Sequence, residues 1–195
     1  MVISSARDFS TNQNQFRELN QLTKSKNKLI STRENGQIQI YQSSYRGSYS
    51  NIIRDCLRNA AIGRKVLLVQ LMKGGVNQGI ANPIQMCGNL HWIRSSISYD
   101  QYDPNDLVND KSLSLSIKDA TIELWNFCKK QLLSGEQDQI ILDEVFRAIE
   151  LNIIDLDDLI STLQNRFISG DVILTGTSIP KKLLIMADLV TELRS

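Results

Sequence analysis

One histidine, His91, and three widely separated cysteines, Cys56, Cys87 and Cys128, are all the imidazole and thiol this chain offers a metal. With no C-x-x-C pair, neither a structural zinc site nor a disulfide framework is expected, and a reducing, cytoplasmic compartment fits. No apolar run approaches about 18 residues, so membrane insertion is not expected. The opening MVISSARDFSTNQNQ lacks the basic-then-apolar design of a secretion signal. Charge of one sign is missing too. Lys and Arg number 22 against 21 Asp and Glu, so no overall field favours nucleic acid or an anionic membrane surface.

What is present suits one buried domain, with 195 residues of which 42% are hydrophobic. Residues 1–35 stand apart as a polar N-terminal arm rich in Asn, Gln, Ser, Thr and Lys. Phe16, Leu19 and Leu22 recur at helical spacing, so the arm reads as partly helical, near residues 12 to 25, or mobile. Residues 36–195 read as a single domain.

In that domain strands and helices alternate. Gln37 to Tyr41 is a short strand; Ser50 to Ile62 has helical periodicity through Ile52, Ile53, Cys56, Leu57 and Ala60, and Gly63 ends it. Lys65 to Leu71 is a continuous apolar run, as in a buried parallel strand. One strand is expected around Ile84 to Ile93, and a long helix from about Leu113 to Leu133, stopped by Gly135. Gln139 to Leu142 is a strand closed by Asp143-Glu144, and a helix follows to about Asn152. Asp155 caps another helix to about Arg166; Asp171 to Gly176 is a strand, Pro180 opens a short helix, and Leu189 to Leu193 is the last strand. The alternation predicts an α/β fold, a mostly parallel sheet with helices on both faces. Ligands of such sheets sit beyond the carboxyl ends of the strands. Three ends carry chemistry: the turn after Tyr41, Asp143-Glu144, and Thr175-Gly176.

Several stretches, in order, resemble the bacterial corrinoid adenosyltransferases of the CobA/BtuR/CobO type. GQIQIY is similar to the family's first strand, and LRNAAIGRKVLLVQLMKG to its next helix end, second strand and F-x-K-G-type turn, which places Lys73 at the crevice. LLSGEQDQIILDEVFRAIELNIIDLDDLISTLQNR is similar to its acidic strand end and following helices, and VILTGTSIPKKLLIMADLVTELR to its terminal T-G-R-G and A-D-x-V-x-E-x-R pattern. The resemblance covers about residues 36 to 194. It implies a P-loop NTPase-like (RecA-like) fold and, for an active member, transfer of the adenosyl group of ATP, with Mg, to a Co(I) corrinoid. It also implies a homodimer; family members usually continue with a further tail, whereas the sequence here stops at Arg194-Ser195.

The family's phosphate loop reads approximately G-[DN]-G-K-G-K-T-T and falls on Ser43-Ser44-Tyr45-Arg46-Gly47-Ser48-Tyr49-Ser50. Only Gly47 is kept. Such loops use glycine because their backbone adopts positive φ and converges N–H groups on oxygen, which a Cβ hinders at Ser43 and Tyr45. Ser48 stands for the phosphate-binding lysine, and Tyr49 for the threonine that would help hold Mg²⁺. Arg46 is a cation at a place where the family also has one. Ser50 would reach a metal only if the loop slipped by one residue.

Asp143 and Glu144 match the family's acidic pair and are the candidate catalytic groups; the alternative is that they cap the next helix. The metal they would hold is left open. Where the family has M-G-x-G-F-T-W before its corrinoid pocket, this chain has Met86-Cys87-Gly88-Asn89-Leu90-His91-Trp92. The resemblance assigns Met86, Leu90, His91 and Trp92 to the corrinoid side. Leu90 fills the place of a phenylalanine without its π face, and a lone histidine is more often structural than a ligand. The leading expectation is a non-catalytic homologue with no cofactor, acting through a protein partner of unknown identity or a small ligand. The alternatives are an active ATP:corrinoid adenosyltransferase with an unusual loop, and a binder of another nucleoside or anion.

Overall fold

The computed structural model describes residues 35–44, 50–74, 77–95, 97 and 111–193. The expected arm, but for its last residue, falls outside this set, as do Tyr45 to Tyr49 of the loop.

The described elements are β1 (Ile38–Ser43), α1 (Ser50–Ala61), β2 (Val66–Gln70), β3 (Ile84–Met86), β4 (Leu90–Arg94), α2 (Lys111–Ser134), β5 (Gln139–Asp143), α3 (Val145–Glu150), α4 (Leu156–Gln164), β6 (Asp171–Gly176), α5 (Lys181–Leu184) and β7 (Leu189–Leu193). The alternation expected from residue 36 onward is present, with one correction. The single strand expected around Ile84 to Ile93 is a hairpin: the chain turns through Cys87 at φ 51° and Gly88 at φ 75°, and Met86 pairs antiparallel with Leu90. Apolar residues on both sides of a short polar break read as one strand; the positive φ at a cysteine left no mark in the composition.

The seven strands form one sheet in the order β3-β4-β2-β5-β6-β1-β7, parallel except for β3. Successive side chains of a strand point to opposite faces, and the two cores divide accordingly. Leu67, Val69, Ile140, Leu142, Val172 and Leu174 face α2 and α4, which bury Leu124, Trp125, Cys128, Leu159 and Leu163 against them. Val66, Leu68, Ile141 and Ile173 face α1, which buries Ile52, Cys56 and Ala60, one face of a helix at i, i+4 and i+8. Helices therefore lie on both faces.

Local chemistry sets the ends of these helices. Past α1, Gly63 adopts φ 95°, and the N–H groups of Gly63 and Arg64 return to the carbonyls of Ala60 and Asn59 at 3.0 and 3.1 Å. Asp155 caps α4, its Oδ1 accepting from the Asp158 N–H at 2.9 Å. Gly135 ends α2 at φ 72°, where a Cβ would collide with the ring of Phe167.

Candidate functional site

The chain leaves β2 toward β4 on one flank of the sheet and leaves β5 toward β6 on the other, so the connections diverge between β2 and β5. Such a switch point opens the crevice of a parallel sheet. Gln70 and Asp143 are the paired last residues of these two strands. Beyond β5, β6 and β1 follow in order, so the three chemistry-bearing strand ends of the sequence are side by side. Tyr41 pairs with Thr175 and Gln42 with Gly176.

Asp143 is the centre of the arrangement. It is 3% exposed, and both of its oxygens are engaged. Oδ1 accepts the Thr175 hydroxyl at 2.8 Å; Oδ2 accepts Gln70 Nε2 at 2.7 Å and the Lys73 ammonium at 3.2 Å. A buried carboxylate requires this kind of compensation, and here it receives two neutral donors and one cation from β6, β2 and the turn after β2. Lys73 is thus at the crevice, with its charge directed at Asp143.

Gln70 carries the network onward. Its Oε1 accepts Trp92 Nε1 at 3.0 Å and Arg94 Nε at 2.5 Å, and the Arg94 guanidinium lies 4.8 Å from the Trp92 ring centroid. A connected set of side chains therefore runs across four strands from Thr175 to Arg94. Gln70 and Arg94 escaped the sequence reading. Gln70 had a legible mark, since a glutamine inside VLLVQL is a polar group in a strand buried on both faces and must have partners. Arg94 had none.

Glu144 follows at φ 60° and ψ 28°, buried, and occupies the N-cap position of α3 without a side-chain cap bond. The capping role is not what places this acid; its backbone N–H instead donates to Thr175 Oγ1 at 2.8 Å. A left-handed conformation at a non-glycine residue costs on the order of 1 kcal/mol, and such strain collects at functional sites. Gly176 has a packing reason, for a Cβ there would lie 2.5 Å from Phe146 Cβ. Ser43 is buried at the end of β1, Ser44 is exposed beyond it, and Ser50 is the exposed first residue of α1. The strand and the helix that would flank a phosphate loop, β1 and α1, are both present.

The corrinoid-side candidates separate. Leu90 is buried with the α1 face, and Met86 and Trp92 pack against the same cluster. His91 alternates to the other face of β4, with Nε2 3.1 Å from Gln85 Nε2, beside an open cavity of about 370 Å³ that Lys65, Asn89 and Glu136 also line.

Electrostatics around the crevice favour neutral thiol. Burial, then the nearby Asp55 and Asp143, push the Cys56 pKa up to about 12. Tyr41 is likewise raised, by burial and then Asp55. Among the described residues no group of three or more His, Cys, Asp and Glu could hold a metal ion. Asp143 already accepts from three donors, one on Oδ1 and two on Oδ2, which leaves one of the roughly four lone-pair sites of a carboxylate for a further ligand. No described helix is long and apolar enough to cross a membrane.

Comparison with known proteins agrees with this architecture. The family described as ATP:corrinoid adenosyltransferase BtuR/CobO/CobP matches residues 34–195. The chain is 25% identical over 161 residues to the corrinoid adenosyltransferase of Escherichia coli, covering 83% of this chain and 78% of that protein. It is 24% identical over 161 residues to corrinoid adenosyltransferase CobA of Salmonella typhimurium, with the same coverage of 83% and 78%. A third relative, uncharacterized protein all2391 of Nostoc sp., is 25% identical over 177 residues, 84% of this chain and 45% of that protein. With a seven-stranded, mostly parallel sheet whose acid, threonine and tryptophan converge at one strand-end crevice, the chain belongs to the corrinoid adenosyltransferase family.

Proposed function

We propose that this protein is a non-catalytic member of the family, acting in a reducing soluble compartment by binding a protein partner or a small ligand. The observation that carries the reading is the closure of Asp143 on Thr175, Gln70 and Lys73. An active P-loop site keeps an acid for the metal and a cation for the polyphosphate. Here the acid and the described cation of the crevice satisfy each other, and the loop has Ser48 and Tyr49 where lysine and threonine would stand. Losing one charge-assisted phosphate contact costs about 1.5–3 kcal/mol, roughly ten- to hundredfold in binding. Two such losses, with Ser43 and Tyr45 in place of glycines, take ATP out of the useful range. A homodimer, carried on the family resemblance, belongs to the same proposal.

Calorimetric titration with Mg-ATP, beside an active adenosyltransferase as control, tests it. The expected result is no detectable heat, confirmed by a second binding method. Micromolar binding overturns the reading, and adenosylation of a Co(I) corrinoid by the purified protein overturns it outright. The quadruple variant Ser43→Gly, Tyr45→Gly, Ser48→Lys, Tyr49→Thr is expected to gain ATP binding if the loop alone was lost.

A further inference from the structure

The two edges of the sheet are protected unequally. At one end β3 is only three residues long, which blunts that edge. At the other end β7 presents five residues, Leu189-Val190-Thr191-Glu192-Leu193, paired in continuous register with β1 on its inner side. Among the described residues no strand takes its outer side. It holds no proline, no lysine and no bulge, and Glu192 is its single charge. Alternate residues of an edge strand point their N–H and C=O groups outward, so β7 is a template for a further strand.

Apolar side chains flank this template on both faces of the sheet. Paired residues of neighbouring strands share a face, so Val190 lies beside Ile40 on the face packed by α2 and α4, and Leu189 beside Gln39 on the face packed by α1. Leu189 is 46% exposed and Val190 44%. α5 packs on the α2 and α4 side through Leu183 and leaves Leu184 and Ile185 outward, Ile185 being 90% exposed. A tight turn joins α5 to β7, the Ala187 N–H returning to the Leu183 carbonyl at 3.2 Å. These four side chains expose on the order of 400 Å² of apolar surface per copy, about half of what one partner brings to a standard interface. The strand backbone, Thr191 and Glu192 add to it.

The residue order of β7 selects the strand that fits. Leu189 and Leu193 stand two places to either side of Thr191. An antiparallel copy of β7, related by a two-fold axis at Thr191, sets Leu189 opposite the partner's Leu193 and Val190 opposite the partner's Glu192. Both leucine pairs fall on the α1 face, where Leu193 already packs against the core, so each extends an existing cluster. The same operation carries Glu192 to the face that holds the partner's α5, where Lys181 is exposed and makes no ion pair among the described residues. The edge is self-complementary in shape and in charge.

We propose that β7 pairs with β7 of a second copy, antiparallel about Thr191, joining two seven-stranded sheets into one. The strands of the two copies then run in opposite directions, and the two strand-end crevices open at opposite ends of the joined sheet. The proposal rests on the homodimer of the reading above, to which it gives a surface, and is independent of whether ATP binds.

Sedimentation velocity of the full chain from about 1 to about 200 µM should show monomer converting to dimer as concentration rises. Leu189→Lys puts a charge where the leucines meet and should weaken the dimer about tenfold or more, with an unchanged circular dichroism spectrum. Thr191→Cys should form a disulfide between copies on mild oxidation, because directly opposed residues of antiparallel strands lie about 4.5–5.5 Å apart at Cα, within disulfide reach. This is done in a Cys87→Ser background, which removes the exposed thiol. Ile62→Cys, 71% exposed just past α1, is the control that should not crosslink. If the lysine variant unfolds, the two cysteine variants decide alone. Three outcomes overturn the proposal: a chain that stays monomeric throughout, as it would if any other strand took the edge; a dimer that a folded Leu189→Lys leaves unchanged; or Thr191→Cys crosslinking no faster than Ile62→Cys. A dimer through another face sinks this proposal and leaves the homodimer itself standing, and the Mg-ATP titration bears on neither.

Discussion

The hydroxyl of Thr175 donates to Asp143 Oδ1 across 2.8 Å and, at the same oxygen, accepts the backbone N–H of Glu144 at 2.8 Å. One side chain on β6 thereby holds both the carboxylate and the strained backbone at the end of β5. Thr175→Val keeps the shape and removes the hydroxyl, leaving a buried acceptor and a buried donor each short of a partner. The expected loss is about 2–4 kcal/mol in urea unfolding, with Thr175→Ser recovering most of it. A valine variant within about 0.5 kcal/mol of the parent would contradict this account of the site.

Lys73 and Asp143 should be coupled in a way surface pairs are not. The side chains are 21% and 4% exposed, against 63% and 74% for Lys182 and Asp157. A double-mutant cycle with Lys73→Met and Asp143→Asn is expected to give a coupling above about 1 kcal/mol that survives high salt. The Lys182–Asp157 cycle should give no resolvable coupling. Equal salt sensitivity in both cycles would mean that Lys73 is not committed to the acid, and would return it to candidacy as a phosphate cation.

Much of this site was written in local chemistry. Asp143-Glu144 and Thr175-Gly176 each close an apolar run, so both could be placed at strand ends without knowing how the strands pair. Their adjacency could not, because the order β5-β6-β1 is set by crossovers distant in sequence. The β3–β4 hairpin was hidden because Cys87 is a poor turn former that adopts φ 51° only in its tertiary setting. His91 and Trp92 look equivalent in a motif, yet pleating sends them to opposite faces. Whether Lys73 faces a ligand or an acid depends on a contact 70 residues away, which no local pattern records.

The three thiols should differ sharply in reactivity. Cys87 is exposed in the turn, whereas Cys56 is buried with its pKa pushed up to about 12 and Cys128 is buried with its pKa pushed higher still. The thiolate is the reactive form, so at pH 8 a disulfide reagent should modify one cysteine rapidly, at Cys87, and reach the other two only on unfolding. Fast modification of Cys56 in the native protein would show that α1 does not stay closed over Asp143.

Asp158 gives a prediction whose sign can be worked through. Burial alone would raise its pKa, but hydrogen bonds from Trp125 Nε1 at 2.7 Å and Lys129 Nζ at 2.9 Å, with the lysine charge, hold it below the ordinary value of 3.8. A carboxylate depressed in the folded state contributes stability that is present above its unfolded pKa and disappears as pH falls through the folded one. The stability difference between the wild type and Asp158→Asn should therefore be constant near neutrality and shrink below about pH 4. It will be modest, since the Asp158 side chain is 41% exposed and screened by solvent. Asp158→Leu should behave differently, because Trp125 is 3% exposed and its N–H would be left unpaired at every pH. That variant should lose about 1–3 kcal/mol, and its deficit should persist in acid. If instead the asparagine variant kept its full deficit at pH 2, the deficit would not come from the carboxylate charge, and the Lys129 charge would have no part in holding α2 against α4.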